Sequence, residues 1–172
     1  MINFAGFLRK QAELDSRIKQ NSERTGTKIK FSAIAEIIEF QETLDRPEED
    51  MDKTHKTWKD SDFTRKDTLE EYVDIWFFIS QMELRYRSVD KLDDDFFNKT
   101  MNKEFHSNRI NSNCINDDIE DLMLRILKGD SWGIVETMGA IARWLGFTDE
   151  EIEQAHMDKF EKNLERIGGE WL

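Results

Sequence analysis

The stretch LEEYVDIWFFISQM, residues 69–82, is largely apolar after Tyr72, yet Glu71 and Asp74 lie inside it. Residues three apart in a helix lie on the same face, so these two carboxylates are neighbours. Burying a carboxylate costs free energy unless a partner offsets its charge. We therefore predict a largely buried helix with an acidic face that needs a compensating cation.

The rest of the chain has the pattern of an all-α protein. It contains one proline and eight glycines in 172 residues, which favours long helices. Apolar residues recur at helical spacings, as at Ile119, Leu122 and Ile126, and no strand-like alternation competes. We predict an all-α multi-helix bundle, a single domain over residues 1–172 with a variable insertion at about 88–131.

Several residues predict where helices begin and end. Ser32 is a typical N-cap for the second helix, which we expect to stop near Asp45 because the only proline follows two residues later. The third helix is predicted to start near Asp67 or Thr68 and to run to about Tyr86. The last helix is expected to end at the glycine pair 168–169.

Composition and charge exclude several classes of protein. Hydrophobic residues make up 38% and charged residues 36% of the chain, as in soluble globular domains. The formal net charge of −12 disfavours binding to nucleic acid, because the phosphate backbone is also negative. No apolar run approaches the roughly 20 residues that span a bilayer, and no signal peptide is visible. We therefore expect neither nucleic-acid nor membrane partners. The single cysteine, Cys114, cannot form an internal disulfide, which fits a cytoplasmic location.

A second acidic pair lies on the preceding predicted helix. In SAIAEIIEFQE, residues 32–42, Glu36 and Glu39 are three residues apart and flanked by isoleucines. If the two helices pack antiparallel, four carboxylates share one pocket, and such oxygen ligands bind hard divalent cations such as Mg²⁺. Glu42 and Glu70 would be outer partners. The alternative is two solvated helix faces in an acidic protein.

The last predicted helix carries complementary groups. His156, Lys159, Asn163 and Arg166 follow one another at spacings of three and four, so they form one stripe. Lysine and arginine on one helical line, with asparagine between them, can bind phosphate oxygens. An ordinary solvated face is the alternative for this stripe taken alone.

Five segments, whose order along the chain is the family's order, resemble the dimeric all-α dUTPase family, within the wider all-α nucleoside triphosphate pyrophosphohydrolase (MazG-like) superfamily. EIIE (36–39) and EYVD (71–74) match the superfamily pattern ExxE and ExxD. QAELDSRI (11–18) resembles Q-x-x-L-D-x-x-I, and HKTWK (55–59) resembles F-K-x-W-S. KFEKNLERIGGEW (159–171) resembles K-x-x-x-N-x-x-R-Q-x-x-G-Y.

The resemblance implies a Mg²⁺-dependent dUTP diphosphatase that hydrolyses dUTP to dUMP and pyrophosphate as a homodimer. The residues it assigns to metal binding and catalysis are Glu36, Glu39, Glu71 and Asp74. The residues it assigns to substrate binding are Gln11, Lys56, Trp58, Lys159, Asn163 and Arg166. Gln11 would contact the uracil edge, and Trp58 would either wall the base or sugar pocket or anchor its loop.

Departures from the family pattern leave other activities open. Phe77 stands where the family has histidine, Ile167 replaces glutamine, and residues 88–131 match no motif, a region that varies among phage members. A dCTPase or a broader MazG-like dNTP pyrophosphohydrolase is the nearest alternative. A non-enzymatic helical protein that docks a protein regulator through residues 88–131 is a second one.

Overall fold

The computed structural model describes residues 1–18, 26–44 and 63–170. These residues form seven α-helices and a short 3₁₀ turn, and no strand occurs among them, which confirms the all-α prediction. The helices are α1 Phe4–Arg17, α2 Gly26–Leu44, α3 Arg65–Glu83, α4 Asp94–Phe105, α5 Ile115–Lys128, α6 Ser131–Leu145 and α7 Asp149–Glu170. None of these helices is long and apolar enough to cross a membrane.

Helix α3 lies at the centre of the bundle, against α1, α2 and α7. Its core side chains are almost fully buried: Trp76 packs on Phe4 with ring centroids 5.0 Å apart, and the Tyr72 hydroxyl donates to the Met138 carbonyl at 2.9 Å. This packing holds α3 rigidly, so the polar residues on its remaining face are fixed in position.

Helices α2 and α3 run antiparallel. At one end the Thr68 hydroxyl donates to the Thr43 carbonyl at 3.4 Å. At the other end Gly26 lies beside the Arg85 side chain. The start of α2 is therefore next to the end of α3, the arrangement that brings the two acidic faces together.

The predicted start of α2 is wrong by about two turns. The helix begins at Gly26, and Ser32 lies inside it. The reason is the buried apolar line Ile29, Ala33, Ile37 and Phe40, whose spacings of four, four and three extend the core-facing stripe toward the N-terminus. Burial of Ile29 thus outweighs the capping preference of Ser32.

Helix α3 also begins earlier than predicted. Thr64 is its N-cap, and it forms a capping box with Asp67, whose side chain accepts from the Thr64 amide at 2.7 Å. The helix ends at Glu83, before Tyr86. The last helix, α7, ends at Glu170, one residue after the glycine pair at which its end is predicted.

Helix α4 organises the predicted insertion. Asn102 donates to the Ile2 carbonyl at 2.8 Å and accepts from the Ile2 amide at 2.9 Å, which ties α4 to the start of the chain. Phe97, Met101 and Phe105 are buried in the shared core. This part of residues 88–131 is therefore integral to the core, and its description as an insertion stays a prediction.

Candidate active site

Three carboxylates from two helices converge beside the core. Glu36 of α2 and Glu71 and Asp74 of α3 each offer an oxygen, and these oxygens lie within 4.8 Å of one another. All three side chains are half-buried. The antiparallel packing of α2 and α3 produces this arrangement because it sets the two acidic faces opposite each other.

The cluster is electrostatically incomplete. Burial raises the pKa of Glu36 to about 9, with the neighbouring Glu71 and Asp74 adding to the shift. Glu36 Oε1 is buried, and no hydrogen-bond donor among the described residues reaches it. The Glu36 and Glu71 side chains are in contact, and this contact is a hydrogen bond only when one of the two carboxyl groups carries a proton. A cation or a proton must therefore supply positive charge here.

Lysine supplies part of that charge. Lys159 Nζ of α7 lies 2.6 Å from Asp74 Oδ2. Burial raises the pKa of Asp74 to about 6, against the opposing influence of Lys159 and Arg166. Arg166 is exposed and Asn163 half-buried, and both lie further along α7. In the described part of the chain, one half-buried lysine pairs with a cluster of three carboxylates, which leaves negative charge for a divalent cation to offset.

The other predicted acids lie outside this cluster. Glu39 is exposed and is not among the three converging carboxylates, so its role stays a prediction. Glu42 is buried at the far end of α2. Glu70 accepts from Lys162 Nζ at 2.9 Å, a second ion pair between α3 and α7.

A buried amide network lies further along α3. Gln11 Nε2 donates to Asp15 Oδ1 at 2.7 Å, and Gln81 Nε2 donates to the same oxygen at 3.2 Å. Gln11 and Gln81 are each only 5% exposed. Gln81 and Asp15 were not among the predicted site residues. The available signal was the spacing of seven between Asp74 and Gln81, two helical turns on one face.

Comparison with known proteins decides the family. A family model described as dUTPase matches residues 3–171, almost the whole chain. The chain belongs to the dUTPase family. Searches of curated proteins and of solved structures found no significant match. Membership makes this chain a dUTP diphosphatase, an enzyme of a family that generally needs a divalent metal.

His156 is the first residue of the stripe on α7 of this dUTPase, and it is not one of the residues predicted to bind phosphate. His156 is fully buried, and its ring stacks between Phe7 and Phe77 with centroids 3.7 and 4.1 Å apart. Burial lowers its pKa well below the ordinary value, with the Lys10 charge acting in the same direction. The imidazole is therefore neutral and cannot act as a phosphate-binding cation. The stripe begins at the α1–α3 interface, where its first member is enclosed.

Two predicted substrate-binding residues of this dUTPase, Lys56 and Trp58, lie outside the described residues. The same is true of Trp171 in the closing motif. Their assigned roles stay predictions that rest on the family resemblance.

A groove of about 440 Å³ lies between α3 and α7 of this dUTPase. Lys66, Lys159 and Lys162 line it together with several acids, including Glu70 and Asp158. Lys159 thus faces both the groove and the carboxylate cluster.

Proposed function

We propose that this dUTPase hydrolyses dUTP to dUMP and pyrophosphate with Mg²⁺ held by Glu36, Glu71 and Asp74. The observation that carries the proposal is the convergence of these three carboxylates within 4.8 Å. It is supported by the buried Glu36 oxygen, for which the described part of the chain offers no donor, and by the match to the dUTPase family.

The donor set fits a hard divalent cation. Mg²⁺ prefers carboxylate and water oxygens and tolerates sites that keep several waters. Bound there, it would supply Lewis acidity, neutralising phosphate charge and lowering the pKa of a water. The three carboxylates hold negative charge in place for it, because helices α2 and α3 are fixed by the core.

Glu39 is proposed to orient the attacking water or to accept its proton. It lies one turn beyond Glu36 on α2, and its exposed carboxylate can reach solvent. Glu36 is the alternative for this role. In the metal-free protein its pKa is raised to about 9, so at neutral pH the carboxyl already holds a proton and cannot accept one from water.

Lys159, Asn163 and Arg166 are proposed to bind the phosphates. Lys159 is positioned by its ion pair with Asp74, and Arg166 is close enough to lower the pKa of Asp74. Their charges would stabilise the negative charge that develops on the departing pyrophosphate. Lys56 is assigned to the same substrate by the resemblance.

Gln11 and Trp58 are proposed to contact the nucleoside. Gln11 is supported by its place in the QxxLD motif and by its fixed orientation beside Asp15. A side-chain amide offers one acceptor and two donors, which suits a pyrimidine edge.

A homodimer is proposed from the family resemblance. It is supported by large apolar side chains that remain exposed in the single chain, among them Phe31, Leu124, Leu127 and Trp132. Light scattering after gel filtration tests it, and a monomer at micromolar concentration contradicts it. A cytoplasmic location and a protein regulator stay predictions.

A panel of dNTPs assayed for pyrophosphate release tests the proposed reaction. With Mg²⁺, dUTP should give dUMP and pyrophosphate, and EDTA should stop turnover until Mg²⁺ is restored. Faster turnover of dCTP than of dUTP would instead indicate a dCTPase. Comparable turnover of all dNTPs would indicate a broad MazG-like dNTP pyrophosphohydrolase.

A further inference from the structure

Asp15 binds two buried glutamines from two helices. Its Oδ1 accepts from Gln11 Nε2 at 2.7 Å and from Gln81 Nε2 at 3.2 Å. Both glutamines are 5% exposed, so their amides have little freedom to exchange partners with water. Asp15 itself is half-buried on α1, one turn after Gln11.

This contact fixes which way each amide faces. A carboxylate oxygen has only lone pairs to offer, so the amide nitrogen, and not the amide oxygen, must face Asp15. Turning the Gln11 amide over would set Oε1 against Asp15 Oδ1, two acceptors in a buried place. Leaving such groups unpaired is costly. Gln11 therefore keeps one orientation, in which Oε1 and the second N–H have no hydrogen-bond partner within residues 1–18, 26–44 and 63–170.

The distance from the carboxylate cluster to the amide network is about the length of a nucleotide. Gln81 follows Asp74 by seven residues, so the two lie on one face of α3 about 10 Å apart along the axis. That is comparable to the separation of a phosphate and the base edge in a deoxynucleotide. Phe78 lies between them on the same face and is half-buried. Phosphates at Asp74 and Lys159 would thus leave the base near Gln11 and Gln81.

We propose that Asp15 is a positioning residue for base selectivity, an inference that rests on the proposed function. Uracil presents a donor at N3 and an acceptor at O4, whereas cytosine presents the reverse pattern. For a base held in one place by its sugar and phosphates, one orientation of the Gln11 amide fits uracil and the flipped one fits cytosine. Asp15 blocks the flip, so it disfavours cytosine.

The test is the ratio of kcat/KM for dUTP to kcat/KM for dCTP in Asp15→Asn. The amide introduced by this change can donate as well as accept, so Gln11 is free to turn over. We expect the ratio to fall about tenfold, mainly through a gain with dCTP. Glu13→Gln is the matched control, because Glu13 is exposed on the same helix and pairs with Arg17. It should leave the ratio unchanged.

Gln81→Met is a second variant, of similar side-chain shape, that removes one of the two donors to Asp15. Without that donor the Asp15 carboxylate is held less firmly and can turn away from Gln11, so we expect the ratio to fall by about threefold. Circular dichroism reports whether each variant folds. If Asp15→Asn does not fold, Gln81→Met decides alone. Folded variants that keep the parental ratio would overturn the inference while leaving the proposed function intact. A parental enzyme that does not turn over dUTP would overturn both, and one that does not discriminate against dCTP would overturn this inference alone.

Discussion

Lys159 Nζ lies 2.6 Å from Asp74 Oδ2, in a contact where the two side chains are only 13% and 16% exposed. This ion pair joins α7 to the acidic face of α3 and is the one salt bridge of the described residues that involves the three-carboxylate cluster. When all three carboxylates are ionised, the lysine offsets one of their three negative charges. A divalent cation that displaces the Glu36 proton would neutralise the other two.

Lys159→Gln should lower kcat/KM for dUTP about a hundredfold, because it removes a fixed positive charge beside the proposed phosphate site. Steady-state pyrophosphate release measures the effect. Lys162→Gln is the matched control, since Lys162 lies on the same helix and pairs with Glu70 of α3 in the same way. The control should stay within about twofold of the parent. Equal losses in both variants would contradict the assignment of Lys159.

Asp74→Asn should lower dUTP turnover by about a thousandfold or more while the helical circular dichroism signal persists. The change keeps the size of the side chain but removes the negative charge that would hold the metal. Glu70→Gln, one turn away on α3 and outside the cluster, should keep most of the activity. Parental turnover in Asp74→Asn would show that this carboxylate is not needed.

Glu36→Gln and Glu39→Gln should fail in different ways. Glu36 belongs to the converging carboxylates, so its loss should raise the Mg²⁺ concentration that gives half-maximal rate. Glu39 is exposed outside that cluster, so its loss should lower kcat about a hundredfold with little change in Mg²⁺ dependence. Titrating Mg²⁺ at saturating dUTP separates the two. Identical responses would place both glutamates in one role.

The stability of the metal-free protein should depend on pH in a defined direction. The pKa of Glu36 is about 9 in the folded protein against an ordinary value of 4.5, so the folded state retains a proton that the unfolded state releases. The associated stability is fully present below about 4.5 and is lost as the pH rises toward about 9. Asp74, with a pKa of about 6 against 3.8, acts in the same direction at lower pH.

Thermal unfolding in EDTA across this pH window measures the effect, and the midpoint should fall as the pH rises. Mg²⁺ should restore stability most at the alkaline end, because it binds the ionised carboxylates. Glu36→Gln should flatten the EDTA curve. A midpoint in EDTA that rises over the window would contradict the burial of Glu36.

Periodicity and spacing were enough to predict an all-α fold and the carboxylate pairs on consecutive helices. They could not decide which members of the pairs converge. Residues 36 and 39 are separated by about 60° around a helix, so a small rotation of α2 determines whether both face α3. In the structure Glu36 does, and Glu39 is exposed.

His156 and Gln81 are two further residues whose surroundings the sequence alone does not predict. His156 shares a helical line with Lys159, but only the packing of α1 and α3 reveals that this end of the line is enclosed by Phe7 and Phe77. Gln81 looked like an ordinary helix residue, and its contact with Asp15 joins positions 66 residues apart. Contacts between distant segments depend on helix docking, which one sequence does not specify.

Calorimetric titration of Mg²⁺ into the purified protein tests the metal site most directly. Run at neutral pH in two buffers of different ionisation enthalpy, it reports both binding and the protons released. We predict that binding releases about one proton per ion, which comes from Glu36, and that Asp74→Asn abolishes binding. Binding without proton release, or undiminished binding in Asp74→Asn, would contradict a site built from these carboxylates.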